Sequence, residues 1–128
     1  MFTFKKSERL CGTKQFAELF ASGRSFVVFP YRIVFLEKEA DNNPAVLFAV
    51  SIPRRRMKRA VDRNKLKRRT REVWRKNKAD LIDHFTKHHK KCYVAFIYLE
   101  NDLVSYQVAE RKIKDAINRL IKETSEYF

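Results

Sequence analysis

Hydrophobic and polar residues along this chain fall into a series of short, distinct patterns. Residues 1–11 place Phe2 and Phe4 ahead of Lys5, Lys6 and Arg9, which reads as an extended arm tied down by its aromatics. Phe16, Leu19 and Phe20 follow at i, i+3 and i+4, with Thr13 as a candidate N-cap and Gly23 as a C′ residue. This spacing predicts a short amphipathic helix. Residues 25–36 are rich in Val, Phe, Ile and Tyr and predict a strand, with Tyr31, Ile33 and Phe35 alternating onto a core face. Pro30 inside that run points to an edge position or a bulge. A polar turn at 37–44, containing Asp41-Asn42-Asn43, leads to a second strand at 45–52. The two are expected to pair as an antiparallel hairpin, ended by Pro53. Residues 54–78 read as a loop entering a long helix, to which 81–85 adds a last turn. After a polar loop at 86–91, the nearly unbroken apolar run 92–99 predicts a strand buried on both faces. Beyond the turn at Glu100-Asn101-Asp102, Ser105 is placed to cap a final helix. Its apolar positions are Val108, Ala109, Ile113, Ala116, Ile117, Leu120 and Ile121. The resulting order, α-β-β-α-β-α, predicts a single α+β domain with helices packed on one mixed sheet.

Charge changes this picture most in the middle of the chain. Residues 54–78 hold fourteen Lys or Arg against two acids, Asp62 and Glu72, a net of +12 out of +14 for all 128 residues. On a helix, Asn64, Arg68, Arg71 and Arg75 form one stripe, bordered by Lys67 and Lys78. Leu66, Thr70 and Val73 fall on the opposite side, with Trp74 beside them. An ordinary solvated helix mixes Glu with Lys at i, i+4. Here like charges occupy those positions, which disfavours the helix unless a polyanion neutralises them. Arginine grips phosphate bidentately and stacks on bases, so nucleic acid is the leading ligand. A membrane surface fits less well, because the apolar side of the helix is committed to the core.

Other chemistry is sparse. Cys11 and Cys92 stand far apart without a CxxC or Cys/His cluster, and read as packed free thiols in a reducing cytosol. Residues 1–10 lack the apolar stretch of a signal peptide, and the run at 94–99 is too short to span a bilayer. A cytoplasmic protein is expected. His84, His88 and His89 have no carboxylate or cysteine at zinc spacing, so no metal bound by the chain is expected. No Cys/His, Ser/His or paired-carboxylate constellation stands out as catalytic.

The segment Ala60-Val61-Asp62-Arg63-Asn64-Lys65-Leu66-Lys67-Arg68-Arg69-Thr70-Arg71-Glu72-Val73-Trp74-Arg75 resembles the signature of the protein subunit of bacterial ribonuclease P. That family opens a helix with Arg-Asn-Arg; here Lys65 stands in the third position, keeping charge without the bidentate geometry. The resemblance extends to Ser7-Glu8-Arg9-Leu10, to Lys14–Phe20 with Gly23, and to Ser51-Ile52-Pro53-Arg54-Arg55. It implies an α/β sandwich with a left-handed β-α-β crossover, which is otherwise rare. It also implies a partnership with a large catalytic RNA and with precursor tRNA, and needs no protein partner. In that family the RNA, with magnesium, removes the 5′ leader of precursor tRNA, so the subunit belongs to an endoribonuclease without itself carrying the chemistry. By matching position, Arg54, Arg55, Arg59, Arg63, Asn64, Lys65, Lys67, Arg68, Arg71 and Arg75 would meet the catalytic RNA. Arg9, Phe16, Phe20, Arg32 and Val34 would meet the leader; Val34 takes the place of an aromatic common in the family. Two other readings are a ribosomal or ribosome-assembly protein and a DNA-binding regulator. The second lacks a visible helix-turn-helix partner ahead of the basic helix.

Overall fold

A computed structural model of the chain describes residues 6–10 and 12–126. Phe2, Phe4 and Cys11, named above, lie outside that range. A 3-10 turn at Lys6–Glu8 precedes helix α1 (Thr13–Ser22) and strands β1 (Arg24–Val28), β2 (Tyr31–Glu39) and β3 (Val46–Ser51). Helices α2 (Ala60–Asn77) and α3 (Ala79–Lys87), strand β4 (Lys90–Tyr98) and helix α4 (Tyr106–Ser125) complete it.

The sheet order is β1-β2-β4-β3, with β2 antiparallel to both β1 and β4, and β3 parallel to β4. This corrects three expectations. The run at 25–36 is two strands: the chain reverses at the cis Phe29–Pro30 bond, and Val28 pairs with Tyr31. The stretch at 45–52 does not form a hairpin with the strand before it. Strand β4 lies between them, paired with β2 on one edge and β3 on the other, a central place in which helices cover both of its largely apolar faces. The segment at 81–85 belongs to a separate helix, since the chain bends at Lys78, which ends α2 and opens α3. The β3-α2-α3-β4 segment is therefore the crossover joining two adjacent parallel strands.

Helices α2, α3 and α4 cover one face of the sheet. The main core holds Tyr31, Ile33, Phe35, Phe48 and Phe96 from the strands, and Trp74, Phe85, Ile113 and Leu120 from the helices. Ser105 caps α4 as expected, its hydroxyl accepting the Val108 N–H at 3.2 Å. The opposite face carries a smaller cluster of Leu10, Leu19, Val34, Leu47, Tyr93 and Ala95 beneath α1. Gly12, not Thr13, is the N-cap of α1.

Gly23 caps the other end of α1 in an ordinary extended conformation (φ −76°), donating its N–H to the Leu19 carbonyl at 2.8 Å. Space rather than a left-handed backbone demands glycine there. A Cβ would collide with the Leu19 carbonyl oxygen and lie 2.9 Å from that of Phe35, both backbone atoms. Gly23→Ala is expected to destabilise the fold by about 1–3 kcal/mol through overpacking. Urea denaturation checks this; an unchanged midpoint would mean the α1–β1 junction gives way freely.

Candidate nucleic-acid interface

The buried side of α2 is the one the periodicity predicts: Leu66, Thr70, Val73 and Trp74 are all withdrawn from solvent. The Trp74 ring stacks on Phe48 with centroids 4.2 Å apart and planes 9° from parallel. The Thr70 hydroxyl donates to the Leu66 carbonyl at 2.9 Å, so it accepts from the Tyr31 hydroxyl at 2.8 Å. These contacts set the rotation of α2 about its own axis. Asn64, Lys65 and Arg68 are consequently exposed, with Lys67, Arg71 and Arg75 half-buried beside them.

Not every predicted RNA contact points outward. Arg63 turns back along the chain, donating from Nη1 to the carbonyls of Met57 (3.0 Å) and Lys58 (2.7 Å). It fastens the turn at residues 54–56, which is anchored from below by buried Met57 and closed by the Arg56 N–H on the Pro53 carbonyl at 2.9 Å. Arg54, Arg55 and Arg59 are exposed around this turn. Arg63 thus presents other arginines. Arg69 likewise serves the fold, donating to the Val104 carbonyl at 2.7 Å ahead of α4.

The arm meets α2 on its exposed side. Arg9 forms a parallel bridge with Phe48 on the free edge of β3, and the Leu10 N–H donates to the Phe48 carbonyl at 2.8 Å. Bridged residues project to the same face of a sheet. Arg9 therefore follows Phe48 toward α2, while Leu10 packs on the α1 side. The outcome is a cleft of about 370 Å³ lined by Arg9, Arg68, Arg71, Glu72 and Arg75. Glu72 grips Arg75 through two hydrogen bonds, Nη2–Oε1 at 2.7 Å and Nε–Oε2 at 3.2 Å, which holds its carboxyl below the usual range. Partial burial and the facing Arg9 charge push Arg71 below the ordinary arginine value. Arg9, grouped above with the leader contacts, thus stands with the α2 arginines.

The remaining leader candidates lie on the α1 face. Phe16 is half-buried and Phe20 is 54% exposed; their rings stack at 6.3 Å and 13°. Val34 is only 5% exposed and forms part of the floor beneath Leu19, not an open contact. Arg32, on the same strand face, is exposed and reaches Ser25 Oγ at 3.4 Å. Val27 pairs across from Arg32 and is 49% exposed, extending this wall onto β1. Sequence reasoning missed Val27 because it took 25–36 as one strand; cross-strand neighbours appear only once that run becomes a hairpin.

Among the described residues, no group of three or more His, Cys, Asp or Glu gathers as a ligand set. His84 Nε2 lies 2.9 Å from Thr124 Oγ1. Cys92 is fully buried, which pushes its thiol far above the usual value and leaves it unreactive. No described helix is long and apolar enough to cross a membrane.

The chain and its fold are similar to known proteins. A family model described as Ribonuclease P matches residues 4–122. Two proteins named "Ribonuclease P protein component", from two strains of Porphyromonas gingivalis, are each 31% identical over 93% of this chain and 87% of their own length. The fold is similar to the solved RNase P protein of Staphylococcus aureus (TM-score 0.68, 16% identity, 91% of this chain and 97% of that one). It is similar also to that of Thermotoga maritima (TM-score 0.69, 22% identity, 88% and 96%). With a family match over nearly its whole length and relatives sharing close to a third of its residues, the chain belongs to the ribonuclease P protein family, the protein component of the ribonucleoprotein ribonuclease P.

Proposed function

We propose that this chain binds the catalytic RNA of ribonuclease P through α2, the 54–59 turn and the arm, and the 5′ leader of precursor tRNA through the α1 face. In doing so it promotes magnesium-dependent removal of the leader and formation of the mature tRNA 5′ end. The observation that carries this reading is the row of Arg68, Arg71 and Arg75 held outward by a fixed hydrophobic side, with Arg9 facing it across the cleft. Four guanidiniums against one carboxylate suit phosphodiesters, and they do not suit a cation. The magnesium belongs with the RNA. The protein contributes charge neutralisation and positioning. Phe16 and Phe20 give unpaired leader bases an aromatic surface, and Arg32 offers charge beside it. A cytoplasmic location goes with this reading.

The test is cleavage of a 5′-extended precursor tRNA by the catalytic RNA transcribed from the same genome, at low magnesium, with and without the protein. Added protein is expected to raise the rate by at least tenfold, and the effect should shrink as magnesium is raised, because the cation then supplies the neutralisation. Absence of stimulation at every magnesium concentration would remove this reading and leave that of a non-catalytic ribosomal or assembly protein.

A further inference from the structure

The side chain of Lys78 reaches back across seventy residues of sequence to Glu8, Nζ–Oε1 2.6 Å, with both side chains largely buried. A buried ion pair is weak grounds for stability, since desolvation of both charges offsets most of their attraction. Its position is informative. Glu8 is the residue before Arg9, and Lys78 is the hinge between α2 and α3. The pair ties the arm to the end of the helix that carries Arg68, Arg71 and Arg75. One residue further on, the bridge to Phe48 and the Leu10–Phe48 hydrogen bond fasten the same segment to β3. Arg9 is therefore held from both sides, with its side chain directed over α2. These ties, with buried Leu10 beside them, oppose the repulsion between Arg9 and Arg71.

We infer that Glu8 and Lys78 are positioning residues: their ion pair latches the arm so that Arg9 and the α2 arginines close on one RNA phosphate from opposite sides of the cleft. This rests on the RNA-binding role proposed above and deepens it. The cleft holds like charges at close range in the unbound protein, with Arg75 already engaged by Glu72. Arg9, Arg68 and Arg71 line the same cleft, with Arg9 facing Arg71, and converge where an anion would sit. Two guanidiniums approaching from different elements fix the direction of a phosphate, which a row on one helix cannot do. The latch thus sets the register of the RNA against α2, and the arm adds one phosphate to those the helix neutralises.

The experiment measures affinity for the catalytic RNA transcript across a range of KCl concentrations, using the full chain with its folded state checked by circular dichroism. Arg9→Ala is expected to make the slope of log K against log salt shallower by about 0.7–0.9, the value of one phosphate. Glu8→Gln and Lys78→Met should each match it, and Lys78→Met should add nothing in the Arg9→Ala background. The charge-reversed pair Glu8→Lys/Lys78→Glu should return the slope toward that of the unmodified chain. Lys78→Met is the variant most exposed to misfolding, and Glu8→Gln reads the same latch with a smaller change. Equal further losses from Lys78→Met with and without Arg9 would overturn the latch, as would an unchanged slope in Glu8→Gln. Titration with inorganic phosphate keeps the two readings apart. If the unmodified chain fails to bind the transcript, the partner assignment falls. Arg9 and Arg71 Nε–Hε resonances that move with phosphate, and cease to move in Glu8→Gln, would still uphold the clamp. Resonances that stay fixed in the unmodified chain would overturn it.

Discussion

Trp74→Ala is expected to remove about 3–5 kcal/mol of stability, the largest single-residue effect in the chain. The ring is 1% exposed and lies flat on Phe48, with Phe96 edge-on at 5.9 Å. These contacts join α2 to β3 and β4 at the centre of the main core. A domain of this size has a net stability of about 5–15 kcal/mol, so the loss takes a large share of it. Guanidinium denaturation followed by circular dichroism measures the change. A loss below about 1 kcal/mol would show that the stack does not hold α2 in place. The effect should also reach RNA binding while the protein is still folded, because Trp74 sets the rotation that turns Arg68, Arg71 and Arg75 outward.

Arg68→Ala/Arg71→Ala should act in the opposite sense, sparing the fold and disabling the surface. Arg68 is exposed, and Arg71 is half-buried against the like charge of Arg9. Neither forms part of the core, and removing Arg71 relieves repulsion, so the denaturation midpoint should hold or rise slightly. RNA affinity near physiological salt is expected to fall about 100-fold, or about 2.7 kcal/mol, in keeping with two charge-assisted phosphate contacts. The salt slope should become shallower by about 1.4–1.8. The control is Arg111→Ala/Lys122→Ala on α4, which removes the same charge at exposed positions away from the cleft. If both doubles weaken RNA equally, binding depends on net charge alone and the α2 row has no special place.

Much of the interface was legible in the sequence because it is local. The stripe at 64, 68, 71 and 75 and the buried set Leu66, Thr70, Val73 and Trp74 follow from the helical period alone. The same holds for Ser105 as a cap and for the run at 92–99 as an interior strand. Other assignments failed where the outcome depended on partners distant in sequence. Pro30 was expected to mark an edge or bulge, yet it divides the run into two strands. The apolar alternation of residues 45–52 suits a parallel partner as well as an antiparallel one, so nothing local placed β4 between β2 and β3.

Arginine direction was the other unreadable quantity. The side chain is long enough to reach solvent or to return to a carbonyl from the same backbone position. The resemblance put Arg63 among the contacts to the catalytic RNA, but in the folded chain its guanidinium donates to the Met57 and Lys58 carbonyls. Spacing is silent on Arg9, because the arm's place depends on a β3 edge that β4 leaves open and on Lys78 seventy residues away. A one-sided arginine helix backed by an aromatic core could be read from the residues alone, since charge, periodicity and hydrophobicity are local properties. Which arginines line the cleft, Arg9 among them, and which are tied to backbone carbonyls emerged with the fold, because those choices are made by contacts between segments far apart in the chain.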